Sequence, residues 1–227
     1  MLLRRSLATV SAGFLRRGAR HICTSDVEEN GLQNTPWLFV GIGNPGSKFI
    51  GTRHNVGFEM IEAVSRIEGI VLNIERHRAI VGEGTIADFP VVLAKPQTYA
   101  NLIGESVVPL MEHYNVPVGK IVVMVEDMNV RIAKLQLVLK GGHGDHKGLI
   151  NLIAHLQGNR NFPRLRMGIG LPPEKMDPKA FVLQRFCEQE RKMIDKSILQ
   201  GVDIVRVIAT HGVHAAIDSM NKTKAAA

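Results

Sequence analysis

Three short stretches of this chain carry residues whose types and spacing could do chemistry. The first is Thr52-Arg53-His54-Asn55, which stands where a helical pattern begins. An imidazole can titrate near neutral pH and act as a general base, and loops at the carboxyl ends of strands in α/β sheets are where ligands bind. The second is Gly41-Ile42-Gly43-Asn44-Pro45-Gly46, which has the form G-x-G-x-x-G after an apolar run. A dinucleotide site of that form needs its helix to open inside the glycine motif, so that the helix N-terminus meets the pyrophosphate. Here Ser47 to Thr52 intervenes, so the plainer reading is a glycine-rich strand end that lets backbone approach a ligand. The third is His143-Gly144-Asp145-His146. Its imidazoles and carboxylate are metal-ligand types, but no matching cluster lies elsewhere in the sequence, and the flanking glycines suggest a ligand-approach loop instead.

Other chemistries lack their residues. There is no G-x-S-x-G elbow for a serine nucleophile. Two cysteines, Cys23 and Cys187, make neither a disulfide framework nor a metal-ligand pair, which fits a reducing compartment. Arg160, Arg164, Arg166, Lys175, Lys179 and Arg185 make the segment after the third stretch locally basic. That is either a solvated face or a phosphate-contacting one.

These groups need a scaffold. Trp37 to Ile42, Pro90 to Ala94, Ile121 to Val125 (ending in Glu126-Asp127) and Leu165 to Ile169 are short apolar runs that predict buried strands. Leu135, Leu137 and Leu139 alternate, predicting a half-exposed strand. Apolar residues at helical spacing follow Val56, recur at Val107 to Tyr114 and Leu149 to Leu156, and predict a long helix over Glu188 to His211. Strands alternating with helices predict an α/β layer fold. At 227 residues the chain fits one domain of ordinary size plus an extension. No apolar run reaches the ~18 residues of a membrane span, so no membrane role is expected.

Residues 1–25 hold Arg4, Arg5, Arg16, Arg17 and Arg20 and no acid. With Ser and Thr interspersed and Leu2, Leu3, Leu7 and Val10 able to share a helical face, this is the composition of an organelle transit peptide. Arginine outweighing serine and threonine favours the mitochondrion over the chloroplast. The whole chain carries a formal charge of +7, but without those five arginines 23 basic residues face 21 acidic ones. Bulk basicity therefore says little about nucleic acid. The expected organisation is a transit peptide over 1–25, a polar linker over 26–35, one domain over 36–220 and a tail over 221–227.

Several blocks together carry a resemblance. Gly43-Asn44-Pro45-Gly46 with Gly51-Thr52-Arg53-His54-Asn55-Val56-Gly57 resembles the first signature of the bacterial-type peptidyl-tRNA hydrolase family. Lys95-Pro96-Gln97-Thr98-Tyr99 with Asn101, Gly104 and Ser106 resembles its second block. Gly141-Gly142-His143-Gly144 with His146, Gly148 and Leu149 resembles the third, and Arg164 to Gly170 with Pro172-Pro173 the fourth. The wording around Asn55 to Ile61 and Met176 to Phe181 is similar to the plant organellar branch. The resemblance implies a single α/β domain with a mixed, twisted sheet flanked by helices. It implies hydrolysis of the ester joining a peptide to the 3′ end of tRNA, without metal or cofactor; a monomer is expected.

Residue by residue, it implies His54 as the base, Asn44 and Asn101 as substrate-binding amides, Tyr99 as an aromatic lining the cleft and Arg166 as a phosphate contact. Glu126 stands where the family carries the Asp that orients the base, and Lys147 where it carries Asn. Ala100, Val138 and Phe49 replace Met, Lys and Tyr. One plant branch of the family serves group II intron splicing with a partner protein, so an RNA-binding splicing facilitator is the alternative reading. That reading would bring intron RNA and a partner protein in place of peptidyl-tRNA.

Overall fold

The computed structural model describes residues 35–225. The expected transit peptide and almost all of the linker lie outside the described residues. Among the described residues, seven strands form one sheet: β1 (Trp37–Gly41), β2 (Ile74–Arg76), β3 (Ala79–Ile86), β4 (Phe89–Pro96), β5 (Ile121–Asp127), β6 (Leu135–Val138) and β7 (Arg164–Gly168). The helices are α1 (Val56–Glu68), α2 (Gly104–His113), α3 (Lys147–His155), α4 (Pro178–Val182) and α5 (Glu188–Ala225). Strand order is β2-β3-β4-β1-β5-β7-β6. The four central strands β4, β1, β5 and β7 run parallel, and antiparallel β3, β2 and β6 flank them. This is the mixed sheet flanked by helices that the resemblance implied.

Successive residues of a strand face opposite sides, and the two faces of the sheet are separately covered. Phe39, Met124 and Met167 share a core with Met60 and Ile61 of α1 and Ile194, Ile198 and Val202 of α5. Leu38, Val40, Val123 and Val125 share a second core with Val107 and Leu110 of α2 and Leu149 and Leu152 of α3. Strands β1 and β5 are buried on both faces, which explains their unbroken apolar runs.

The β2–β3 hairpin and most of β3 were not legible in the sequence. Gly82-Glu83-Gly84-Thr85 breaks any apolar alternation along β3. The turn between Arg76 and Ala79 is His77-Arg78, both at positive φ (47° and 57°). Such two-residue turns usually announce themselves by Asn-Gly or Asp-Gly. Helix α5 is broken at Gly212, whose backbone is non-helical (φ 82°), one residue beyond the predicted end at His211. Where a tail was expected from residue 221, helix resumes and continues to Ala225.

The parallel strands all end on one edge of the sheet. β1 sits where the connections diverge, the chain returning to β4 on one side and to β5 and β7 on the other. That crevice is the usual place for a site in such sheets. The glycines at the end of β1 serve it indirectly. A Cβ on Gly41 would lie 2.4 Å from the carbonyl oxygen of Gly57, and one on Gly57 would lie 2.5 Å from the carbonyls of both Ile42 and Met124. A ring carbon of Phe58 lies 2.8 Å from where a Cβ of Gly43 would be. The close approach these glycines permit is that of the chain's own helix α1, rather than of a ligand. It seats the turn before α1 directly on the ends of β1 and β5. Gly57→Ala should therefore destabilise the fold by about 1–3 kcal/mol or more, because backbone on both strands would have to move. Urea denaturation reads this, and an unchanged midpoint would contradict it.

Candidate active site

The turn Arg53–Asn55, immediately before α1, presents His54 to the end of β5. Its Nδ1 lies 2.5 Å from Oε1 of Glu126, the penultimate residue of β5. Both groups are largely buried, with side chains 13% and 4% exposed. The expected pairing is present, and the longer Glu reaches it. A second imidazole, from His146, reaches the same oxygen: Nε2 is 3.0 Å from Glu126 Oε1. The two rings lie 5.9 Å apart and 30° from parallel. His146 was not anticipated there. It was legible only as one member of the His143-Gly144-Asp145-His146 stretch, which the structure splits. His143 and Asp145 stay together near the surface, with the Asp145 backbone N–H donating to His143 Nδ1 at 3.1 Å, while His146 turns inward.

The turn carrying His54 is pinned by both of its neighbours. Arg53 is buried, with its guanidinium 4.4 Å from the ring centre of Phe181 and 4.8 Å from that of Phe186. It donates to Glu190 Oε2 at 2.6 Å and to the carbonyl of Ile169 at 3.3 Å. Asn55 and Asn44 bond reciprocally. The Asn44 N–H donates to Asn55 Oδ1 and Asn55 Nδ2 donates to the Asn44 carbonyl, both at 2.9 Å. Arg53 and Asn55 flanked His54 in the sequence, but nothing in their spacing said which partners they would find.

Asn44 Oδ1 accepts the backbone N–H of Ala100 at 2.9 Å. That bond orients the amide and leaves its NH₂ as the end available to a substrate. Ala100 begins the turn Ala100–Leu102, which holds Asn101 exposed on its surface and follows the exposed ring of Tyr99. The carbonyl of Ala100 lies 2.9 Å from where a Cβ of Gly148 would be, so only glycine lets this turn meet the start of α3. Lys147, exposed, is the first residue of that helix, and His146 is its cap. The contacts thus close a ring: His54, Glu126, His146, the start of α3, the turn with Asn101, Asn44, Asn55 and back to His54.

Two predicted residues stand apart from this ring. Arg166 donates from Nε to Asp127 Oδ2 at 2.6 Å, with a second, shorter contact from Nη2 to the same oxygen, so much of its charge is answered within the protein. Its neighbour Arg164, read as part of a basic face, is buried with its guanidinium 4.1 Å from the Phe162 ring centre. Burial, then the charges of Arg166 and Arg160, push Arg164 down to about 10. Arg160, Lys175, Lys179 and Arg185 remain exposed. Phe49 is half-buried in the turn Ser47–Phe49, with the Lys48 ammonium 4.8 Å from its ring centre.

The electrostatics favour proton chemistry. Burial pulls His54 down, but the Glu126 charge and its hydrogen bond more than offset this and hold the imidazole above its ordinary value. Burial pushes Glu126 up, and the two histidines outweigh it, keeping the carboxyl well below the usual range. Among the described residues, His54, Glu126 and His146 form the group whose ligand-type atoms, all within 4.8 Å of one another, could hold a metal ion. The hydrogen bonds around His146 argue otherwise. Its Nδ1 accepts two backbone N–H groups, from Gly148 at 3.1 Å and Leu149 at 3.3 Å. Assigned from that network, its proton sits on Nε2, which points an N–H rather than a lone pair at Glu126. A histidine ligating through Nε2 would instead donate from Nδ1.

A buried imidazole–carboxylate pair beside side-chain amides thus lies at the carboxyl end of a mixed α/β sheet. The family model described as peptidyl-tRNA hydrolase matches residues 38–227, and the chain belongs to that family. Among its relatives, the mitochondrial peptidyl-tRNA hydrolase of Oryza sativa subsp. japonica is 48% identical over 186 residues, covering 82% of this chain and 74% of that one. The chloroplastic group IIB intron splicing facilitator CRS2 of Zea mays is 47% identical over 190 residues, covering 84% and 74%. The solved peptidyl-tRNA hydrolase of Acinetobacter baumannii is similar with a TM-score of 0.78 at 34% identity, over 84% of this chain and 96% of that one.

Proposed function

We propose that this chain hydrolyses the ester between a peptide and the 3′ end of tRNA, with His54 as general base. The observation that carries the reading is the 2.5 Å contact between His54 Nδ1 and Glu126 Oε1. With Nδ1–H donated to the carboxylate, Nε2 carries the lone pair. It takes a proton from water as the water oxygen attacks the ester carbonyl, and the Glu126 charge stabilises the imidazolium that forms. The proton is then returned to the ribose oxygen as it leaves, giving a free peptide acid and a free tRNA hydroxyl. The Asn44 NH₂ and the Asn101 amide are suited to hold the peptide end of the substrate. No step calls for a metal or cofactor.

A second reading, an RNA-binding facilitator of group II intron splicing with a partner protein, has specific support. The Zea mays facilitator is as similar to this chain as the Oryza sativa hydrolase. Arg166 is answered by Asp127, and Lys147 and Val138 stand where the resemblance implies Asn and Lys. One assay separates the two. The mature chain should release free tRNA from N-blocked aminoacyl-tRNA, and its kcat/KM should rise with pH through an apparent pKa above ~6.5, because the base must be unprotonated. His54→Ala should lower the rate ~10²–10⁴-fold while tRNA binding persists. A parent that binds tRNA and releases nothing would replace the first reading with the second, and His54→Ala at the parent's rate would remove His54 as the base.

We further propose that residues 1–25 direct import into mitochondria, from their five arginines, absence of acids and amphipathic spacing. Relatives in this family include mitochondrial and chloroplastic proteins. A fluorescent protein carrying residues 1–35 should enter mitochondria. Delivery to plastids would move the assignment to the chloroplast, and retention in the cytosol would abolish it.

A further inference from the structure

We infer that His146 is a positioning residue for this hydrolysis: one ring nitrogen caps helix α3 and the other holds the Glu126 carboxylate in place for His54. The inference rests on His54 being the base.

A buried Glu is a poor orienting group by itself, because its side chain has rotatable bonds to spare and its charge is costly away from water. Glu126 Oε1 receives two imidazole contacts, and Oε2 has no partner among the described residues. One of those contacts is to His54, whose protonation changes during each turnover. The other is to His146, whose Nε2 is turned to Glu126 at 3.0 Å. It supplies a donor that stays while the charge on His54 comes and goes.

What fixes His146 is the start of α3. Caps are usually Ser, Thr, Asp or Asn, whose oxygens accept N–H groups of the first turn. Here Nδ1 of an imidazole does that, accepting from Gly148 and Leu149. An acceptor is thereby required at Nδ1, so the proton is carried by Nε2, on the far side of the ring, and aimed at Glu126. Its Cε1 lies 3.0 Å from where a Cβ of Gly148 would be, so a side chain there would press on the ring. Only a residue with an acceptor at one end and a donor at the other can do both tasks. Asn carries both groups on one short arm. It can cap the helix but does not span to the strand.

Few charged groups compete at this point. From the turn before α1, His54 faces Glu126, while the adjacent Arg53 is turned away to Glu190 of α5. On β5 the next residue, Asp127, is occupied by Arg166 of β7. From the α3 side His146 faces Glu126, and the adjacent Lys147 is exposed. Withdrawing the His146 N–H should therefore leave more of the Glu126 charge to His54. The His54 imidazolium is then better stabilised, and its titration moves to higher pH.

The test compares the parent with His146→Asn and His146→Ser, which both keep a capping oxygen and lose the reach to Glu126. Three quantities are read: thermal stability, kcat and KM separately with N-blocked aminoacyl-tRNA, and the titration of the His54 Cε1–H by NMR. Whichever variant folds with a melting temperature near that of the parent should show kcat reduced by ~10-fold with KM little changed, since a Glu126 carboxylate free to turn holds His54 less often in the attacking geometry, and this outweighs the added charge on the imidazolium. Its His54 midpoint should rise by ~0.3 of a pH unit or more. A purely structural cap would move stability and leave the His54 midpoint where it was. A folded variant with the parent's kcat and the parent's His54 midpoint overturns the inference. If the parent itself releases no tRNA, the reading of His54 as a base fails, while the His54 midpoint still decides whether His146 acts on Glu126.

Discussion

One carboxylate oxygen, Oε1 of Glu126, is the point on which the site depends. It stands at the end of a central strand, almost fully buried, where an isolated charge would cost several kcal/mol. Two imidazoles from opposite sides meet it, and each is carried by a different part of the fold. His54 comes from the turn before α1, which Gly41 and Gly57 allow to sit against the ends of β1 and β5. His146 comes from the loop before α3, which Gly148 allows to sit against the turn bearing Asn101. The glycines are therefore part of the site through packing rather than through contact with any ligand.

The neighbouring acid shows how strand alternation divides labour. Glu126 and Asp127 are adjacent in sequence and point to opposite faces of the sheet. Glu126 meets two histidines, and Asp127 meets Arg166. The first pair of contacts tunes a titrating group. The second answers the Arg166 charge within the protein. Any contact of Arg166 with RNA has to compete with Asp127 or share the guanidinium with it.

Much of the scaffold was legible because it is written in local pattern. The doubly buried β1 and β5 appeared as unbroken apolar runs, and α1 as apolar residues at helical spacing. The β2–β3 hairpin was not, since its turn uses His77 and Arg78 at positive φ and β3 is interrupted by Gly82 and Gly84. Within the site, His54, Glu126, Asn44 and Asn101 could be assigned only through resemblance, because residues so far apart in sequence declare no contact. His146 and Asn55 lay inside blocks already singled out, yet their partners depend on tertiary placement. The metal reading failed to connect His146 with His54 and Glu126 for the same reason. Once they are connected, the hydrogen bonds at the start of α3 turn an N–H of His146, rather than a lone pair, toward Glu126.

The most direct measurement of the account is made on Glu126→Gln, which keeps the shape and removes the charge. With the carboxylate gone, burial acts on His54 unopposed, so its NMR titration should fall below ~6.5. Although the base is then more often unprotonated at neutral pH, hydrolysis of N-blocked aminoacyl-tRNA should drop, on the order of 10²–10⁴-fold, because the imidazolium formed during attack has lost its counter-charge. A His54 midpoint that stays above 6.5 together with a rate equal to the parent's would contradict the central role of Glu126.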